Sequence, residues 1–293
     1  MATRQPQAEH YHLHNQTQTL NMDEKRRQRI AAALRQYREM ILQHNLLLLR
    51  LLVEVVEAQP LPPGYRESAA QLLRMKGIRK RIGIPESVKS LGDLHNENVI
   101  SVLVLSASLE GVDNNPVDLE QRKEYFAGVQ ASIAEKGVEV SEFPPIDLEY
   151  LCTLVSGITG PGLPFHRRVN QFDFVTPLAS QDIKEMAQTV CVPIRNVNGE
   201  SEYNELTYIW EEWHIAIAFK IGGGPRPGGS YAIYCRKEDN KQWKWRYGVQ
   251  DEDWYSDVYE NVEEFLGFYT HFNEQTEEEL KGIVLSLTAL RQM

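Results

Sequence analysis

The stretch WHIAIAFKIGGGPRPGGSYAIYCRKEDNKQWKWRYGV, residues 213–249, decides the fold. It contains three runs that are rich in β-branched and aromatic residues, a composition typical of strands: WHIAIAFKI, SYAIYCR and QWKWRYGV. A fourth run of this kind, LTYIW at 206–210, precedes them. Glycines and prolines separate the first two of the three runs, and the turn Glu238–Asn240 separates the last two. The pattern therefore predicts an antiparallel meander.

Upstream of this region the chain has the periodicity of helices. Apolar residues recur at three-, four- and seven-residue steps from Ile30 to Val55, which predicts a long helix that begins at Asn21 or Asp23. The prolines of 59–64 end it. Its leucine-rich part, 46–53, is apolar nearly all round, so it must be buried by the same chain or by a second copy. We favour burial within the chain and expect a monomer, with a homodimer through the first helix as the alternative.

Further helices are expected on both sides of the predicted strands. Their spans are 65–79, 98–112, 116–136, 147–157, 258–272 and 276–290. For 98–112 the periodicity does not distinguish a helix from a strand, and we favour a helix. Helices and strands are thus segregated, which predicts an α+β protein with a helical N-terminal half and a C-terminal antiparallel sheet packed by helices. We expect three divisions: a disordered tail at 1–20, which is polar and has little to bury, a helical region at 21–140, and an α+β domain at 141–293.

Charge is unevenly distributed along the 293 residues. The net charge is −10, and the segment 251–279 holds 11 acidic residues and no Lys or Arg. Nucleic acid is an unlikely ligand for such a chain, because phosphate contacts need clustered cations. We also expect no membrane association, since the chain has neither an apolar run of membrane-spanning length nor the pattern of a signal peptide. The expected location is the cytoplasm, with the nucleus as a second possibility.

The sequence contains no strong catalytic or metal-binding motif. Its three cysteines, Cys152, Cys191 and Cys235, are widely spaced, which fits neither a disulfide framework nor a zinc site and favours buried, reduced thiols. We therefore predict no catalytic residue, no metal ligand and no cofactor.

Two loops rich in glycine and proline are the secondary candidates for a ligand site. The turn Gly160–Arg168 carries His166, Arg167 and Arg168, and the loop Gly222–Gly229 carries Gly223 and Arg226. If both loops line one pocket, the alternative function is a small hydrolase or transferase, with His166 within about 3 Å of another titratable group or of a substrate atom. The glycine loop has neither the phosphate-loop nor the dinucleotide-binding spacing, so a simple connection between strands is the preferred interpretation.

The C-terminal third resembles the SUKH superfamily, the Smi/Knr-like fold of fungal cell-wall regulators and bacterial toxin-immunity proteins. The resemblance lies in the order of four segments: IAIAFKIGGG at 215–224, SYAIYC at 230–235, WKWRYGVQDED at 243–253 and NVEEFLGFYTHF at 261–272. In the family the last segment opens with a Ser-Phe-x-x-Phe-Leu signature, in which Asn261 and Val262 here replace the serine and the first aromatic residue. The segment LPPGYRE at 61–67 is similar to the family's first helix start, but it lies about 150 residues before the strands.

The resemblance implies a non-catalytic module that binds proteins, with a regulatory or protective role and no required cofactor. The residues themselves indicate where a partner would bind. Aromatic and acidic side chains are mixed near the end of the predicted sheet: Asp251, Glu252, Asp253, Trp254, Tyr255, Asp257 and Tyr259. Such a mixture is suited to a buried anchor with a charged rim, so we expect the partner protein to present a basic surface.

Overall fold

The computed structural model of the chain has the predicted α+β arrangement, with helices mostly in the N-terminal half and an antiparallel sheet in the C-terminal part. It describes residues 22–58, 72, 75–79, 84, 86, 88–169, 173–175, 190–191, 194–195, 201–202, 210, 212–223, 228–240, 242–251 and 254–282. The predicted tail at 1–20 lies outside the described residues, as do residues 65–71 and 283–290 of two predicted helices.

Apart from the short helix Pro164–Val169, which lies where the sequence analysis predicted a turn, the described helices follow the predicted order. They are α1 Glu24–Ala58, α2 Glu97–Ser106, α3 Leu119–Glu135, α4 Ile146–Leu154, α5 Pro164–Val169 and α6 Val262–Tyr269. A 3-10 turn at Gly92–His95 and helical residues at 75–79 and 277–282 accompany them. The start of the last of these is confirmed, because the N–H of Thr276 donates to Glu279 Oε2 at 2.7 Å and the N–H of Glu279 donates to Thr276 Oγ1 at 3.2 Å.

Several helix boundaries differ from the prediction, and helix α2 ends at Ser106, six residues before the predicted end at 112. Helix α3 begins at Leu119, because the side chain of Asp118 caps it by accepting from two main-chain N–H groups, so Pro116 lies outside the helix. Helix α4 ends at Leu154 instead of Gly157, since Val155 is already extended.

The sheet has five strands in the order β1-β4-β5-β6-β7. The strands are β1 Val190–Cys191, β4 Trp213–Gly222, β5 Gly229–Lys237, β6 Lys244–Asp251 and β7 Trp254–Tyr255, all antiparallel; β2 Ile194–Arg195 and β3 Ser201–Glu202 pair separately. The meander of β4, β5 and β6 and the turn Glu238–Asn240 are confirmed. In the fourth predicted run, residues 206–209 lie outside the described residues, and Trp210 is not in a strand.

The chain after β7 continues along β6 before the last labelled helix begins. Tyr259 pairs with Tyr247 in an isolated bridge, so the predicted helix at 258–272 starts late, at Val262. Asn261 caps α6 by accepting from the N–H of Glu264 at 2.9 Å.

The central strands are buried on both faces, because successive side chains of a strand point in opposite directions. On one face Phe219, Ala232 and Tyr247 join a large core with helices α1, α3, α4 and α6. On the other face Ile233 and Trp210 belong to a smaller cluster. A Cβ at Gly248 would come within 2.8 Å of Trp210 Cζ2, so a glycine at that position lets the indole lie close to the strand.

Helix α1 contributes to two hydrophobic clusters. Its first part, Ile30 to Ile41, packs into the large core with the sheet. Its leucine-rich part, Leu48 to Val56, is buried in a second cluster together with residues of 75–78, α2, Leu163 and Leu280. The leucine-rich part is therefore buried within the chain, as we favoured from the sequence.

Candidate functional site

Two of the predicted aromatic residues, Trp254 and Tyr259, form a surface at the end of the five-stranded sheet. Trp254 and Tyr255 make up strand β7 at the edge and are 45% and 50% exposed, but as consecutive residues of a strand they point to opposite sides of the sheet. The indole of Trp254 stacks on Phe272, with ring centroids 5.4 Å apart, and Tyr259 stacks on Phe268 at 4.9 Å. We name Trp254, Tyr259, Phe268 and Phe272 the aromatic face.

Helix α6 and the turn after it provide the two phenylalanine rings of the aromatic face. Phe268 and Phe272 are four residues apart, so they lie on one side of the helical segment and present both rings to Trp254. Sequence reasoning missed these two phenylalanines, because it named only the aromatic residues that lie among the acids of 251–259. Their four-residue spacing was the available signal.

The acidic residues around the aromatic face have different roles. Asp257 is exposed, whereas Glu260 is partly buried and forms ion pairs with Lys244 and with Arg246, the latter at 2.8 Å. Asp251 is partly buried at the end of β6, and Glu252 and Asp253 lie outside the described residues. Of the predicted rim, the structure thus places Asp251 and Asp257 next to the aromatic residues.

The surroundings of Tyr259, a residue of the aromatic face, raise its pKa. Burial first, and then the negative charge of Asp257, raise the pKa of Tyr259 to about 12. The Tyr259 hydroxyl therefore stays protonated at neutral pH and can donate a hydrogen bond.

The secondary loop residues are engaged in holding the fold together. His166 is buried, with its Nε2 3.0 Å from the main-chain oxygen of Asn273. Arg167 donates to Thr159 Oγ1 at 2.7 Å and to the main-chain oxygen of Ala107 at 2.8 Å. Burial lowers the pKa of Arg167. Both side chains thus tie the Gly160–Arg168 turn to neighbouring segments.

The two loops are connected through a third segment, 173–175. Ile158, just before the first loop, bridges to Val175, and the N–H of Asp173 donates to the main-chain oxygen of Gly223 at 3.0 Å. The side chain of Arg168 and all of Arg226 lie outside what the structure describes. Two cavities of about 420 Å³ each are lined by other parts of the chain, and neither includes a residue of these loops.

Clusters of metal-ligating side chains and free thiols are two further kinds of reactive group. Among the described residues, no group of three or more His, Cys, Asp or Glu side chains is placed to hold a metal ion. Cys152 and Cys235 are buried and free, and burial raises the pKa of both thiols, that of Cys235 to about 12. The side chain of Cys191 is outside the described set.

The described helices include none that is both long and apolar enough to cross a membrane. Comparisons of the chain with protein-family models, with curated proteins and with solved structures found no significant match.

Proposed function

We propose that this protein is a non-catalytic interaction module that binds a basic segment of a partner protein on its aromatic face. The observation that carries the proposal is the half-exposed indole of Trp254, which lies on an edge strand and is held in place by Phe268 and Phe272. Tryptophan and tyrosine dominate the binding energy of protein interfaces, because they bury a large area with few rotatable bonds.

The stacking of Trp254 favours binding because it restricts the conformation of the side chain before a partner binds. With Phe268 and Phe272 behind it, the indole has less rotational freedom to lose when a partner covers it. An aromatic side chain buries about 150–250 Å² in total, so covering the exposed half of Trp254 contributes about 2–3 kcal/mol.

The sign of the partner's charge follows from the surroundings of the face. The segment 251–279 carries 11 acidic residues without a Lys or Arg, and Asp257 is exposed beside Tyr259. A basic partner would be attracted, and its association would weaken as salt screens the charges.

Two further considerations support the proposal. The resemblance to the SUKH superfamily implies a protein-binding role of this kind. Free, buried thiols at Cys152 and Cys235 are typical of a reducing compartment, so we place the interaction in the cytoplasm or nucleus.

The experiment compares the proteins captured by the wild type with those captured by Trp254→Ala and by Asp257→Lys. Partners that bind through the aromatic face should be lost in both variants and should elute from the wild type as salt rises. Leu105→Ala is the matched control, since it removes an exposed apolar side chain from helix α2 instead.

The chemistry of the partner is then tested directly. A peptide from the basic segment of a captured protein should bind the wild type at least about tenfold more tightly than Trp254→Ala, as expected for the loss of about 1.4 kcal/mol or more. Equal affinity for the two proteins, or a set of captured proteins that Trp254→Ala leaves unchanged, would contradict the proposal.

A further inference from the structure

A polar cleft of about 420 Å³ opens at the other end of β6 from the aromatic face. Its walls come from the start of α1, the loop 141–147, the turn between β5 and β6, and the start of α6. Strand β6 has eight residues, so Lys244, which lines the cleft, lies about 25 Å from Asp251, which pairs with Trp254. The cleft is thus distant from Trp254, although Glu260 and Asn261, which line it, directly follow Tyr259 of the aromatic face.

Aromatic side chains form the apolar part of the cleft. Tyr234, Trp243 and Trp245 line it, and Tyr234 and Trp243 are stacked with their centroids 5.7 Å apart. The rings are fixed by hydrogen bonds to the loop, because Trp245 Nε1 donates to the main-chain oxygen of Glu142 at 3.1 Å, and the hydroxyls of Tyr234 and Ser141 lie 2.8 Å apart. This wall can cover the alkyl part of a long side chain.

The cations of the cleft are already matched by carboxylates. Arg26 Nη2 lies 3.5 Å from Asp147 Oδ2. Arg29 Nε lies 3.5 Å from Glu263 Oε1. Lys244 forms an ion pair with Glu260. Among the described residues that line the cleft, these three pairs use every cationic side chain, and the guanidinium of Arg236 lies beside the cleft, 5.1 Å from the ring centroid of Trp243. An acidic ligand would therefore have to compete with carboxylates that belong to the protein.

Negative charge is left over after this pairing. Glu142 lines the cleft, and the described residues provide no ion pair for it. Glu263 uses only Oε1 in its contact with Arg29, whereas its Oε2 is buried and has no hydrogen-bond donor among the described residues. A buried acceptor without a donor is unfavourable, so a donor that reaches Glu263 Oε2 would be bound there.

We infer that this cleft binds an arginine side chain of the partner protein. Glu142 and Glu263 line the cleft from different elements, and the planar guanidinium has five N–H donors that point in several directions, which is enough to donate to two carboxylates. The inference rests on the proposed function, because it supplies a second contact for the same basic partner. In this arrangement the aromatic face provides the aromatic anchor of the interface, and the cleft binds one arginine side chain of the partner.

The test uses a probe that requires no knowledge of the partner. N-acetyl-arginine methylamide is titrated into the full-length protein while the indole N–H signals of Trp243 and Trp245 are followed by NMR. We expect saturable shifts for the arginine probe and none for N-acetyl-citrulline methylamide, which has the same shape but no charge. Shifts of equal size with both probes, or no shift with either, overturn the inference.

Two variants locate the binding. Glu142→Gln with Glu263→Gln keeps the size of both side chains and should weaken binding of the arginine probe about tenfold, since charge-assisted hydrogen bonds are lost. Glu139→Gln removes an exposed carboxylate that does not line the cleft and should leave binding unchanged. Unchanged affinity for the arginine probe in the double variant would overturn the inference. A loss of stability in the variant does not affect the first test, because that test uses the wild-type protein alone. If the proposed function is wrong, the capture experiment with Trp254→Ala shows it. If only the present inference is wrong, the titrations with the arginine probe show it.

Discussion

The ion pair between Glu260 and Arg246 allows a quantitative prediction. Arg246 is 1% exposed, and its Nε donates to Glu260 Oε1 at 2.8 Å. Its Nη1 donates to the main-chain oxygen of Cys235 at 2.7 Å, and its guanidinium lies 4.5 Å from the ring centroid of Trp213. Replacing Glu260 by alanine would leave this buried cation without a counter-ion.

The magnitude follows from the burial of the two partners. Removing one member of a buried pair costs about 3–5 kcal/mol. The side chain of Glu260 is 39% exposed, so water can replace part of the lost contact, and we expect Glu260→Ala to lower the free energy of unfolding by about 3 kcal/mol. Lys244 contacts the same carboxylate from an exposed position, so Lys244→Ala should cost only about 0.5 kcal/mol.

Urea denaturation followed by circular dichroism measures both changes, with Asp257→Ala as a control for removing an acid from the same segment. Burial opposes ionisation of Glu260, but hydrogen bonds from Arg246 and Lys244 and their charges outweigh it and lower the pKa of Glu260. The pair therefore stabilises the fold fully above the unfolded value of 4.5 and loses this effect as the pH falls through the lower folded value. If Glu260→Ala costs no more than Lys244→Ala, our account of Arg246 is wrong.

Three further predictions concern buried groups. Burial, with the charges of His271 and His166, outweighs the attraction of Glu274 and lowers the pKa of His44 below 6.5, so the unfolded chain binds more protons at lower pH. We expect the melting temperature to fall as the pH is lowered below 6.5 and His44→Asn to reduce that fall in thermal scans; an identical pH dependence would contradict this. Gly222→Ala would place its Cβ against the main-chain oxygen of Asp173 and should strongly lower the urea midpoint, whereas Gly267→Ala, with open space around its Cβ, should not. Asn45→Ala removes hydrogen bonds to the main-chain oxygen of Leu109 and from the N–H of Gly162, and should cost about 2–3 kcal/mol in the same assay; a loss below about 0.5 kcal/mol would show that these bonds matter little.

The sequence predicts the elements of this fold better than their ends. The composition of 213–249 was sufficient to predict the meander, and the periodicity of Ile30 to Val55 was sufficient to predict α1. The late start of α6 could not be predicted, because it depends on the pairing of Tyr259 with Tyr247, a contact between separate segments.

The candidate site was predicted only in part for a related reason. The adjacent aromatic residues Trp254 and Tyr255 are visible in the sequence, and the structure places both on the surface. Glu260 looks like one more acid of the same segment, but its contact with Arg246 arises from the folding of the chain back along β6. The charge of a segment does not reveal which carboxylates remain available for a partner.

Helix α1 has a consequence for how the molecule unfolds. Its 35 residues span about 52 Å without a break, with the large core along the first part and the leucine-rich cluster along the second. Unfolding of either cluster exposes an apolar side of helix α1, so the two clusters should unfold cooperatively. Amide protons in the middle of α1 should then exchange with solvent only when the whole molecule opens. A substitution in the leucine-rich part would accordingly be felt at the sheet, far from the altered side chain.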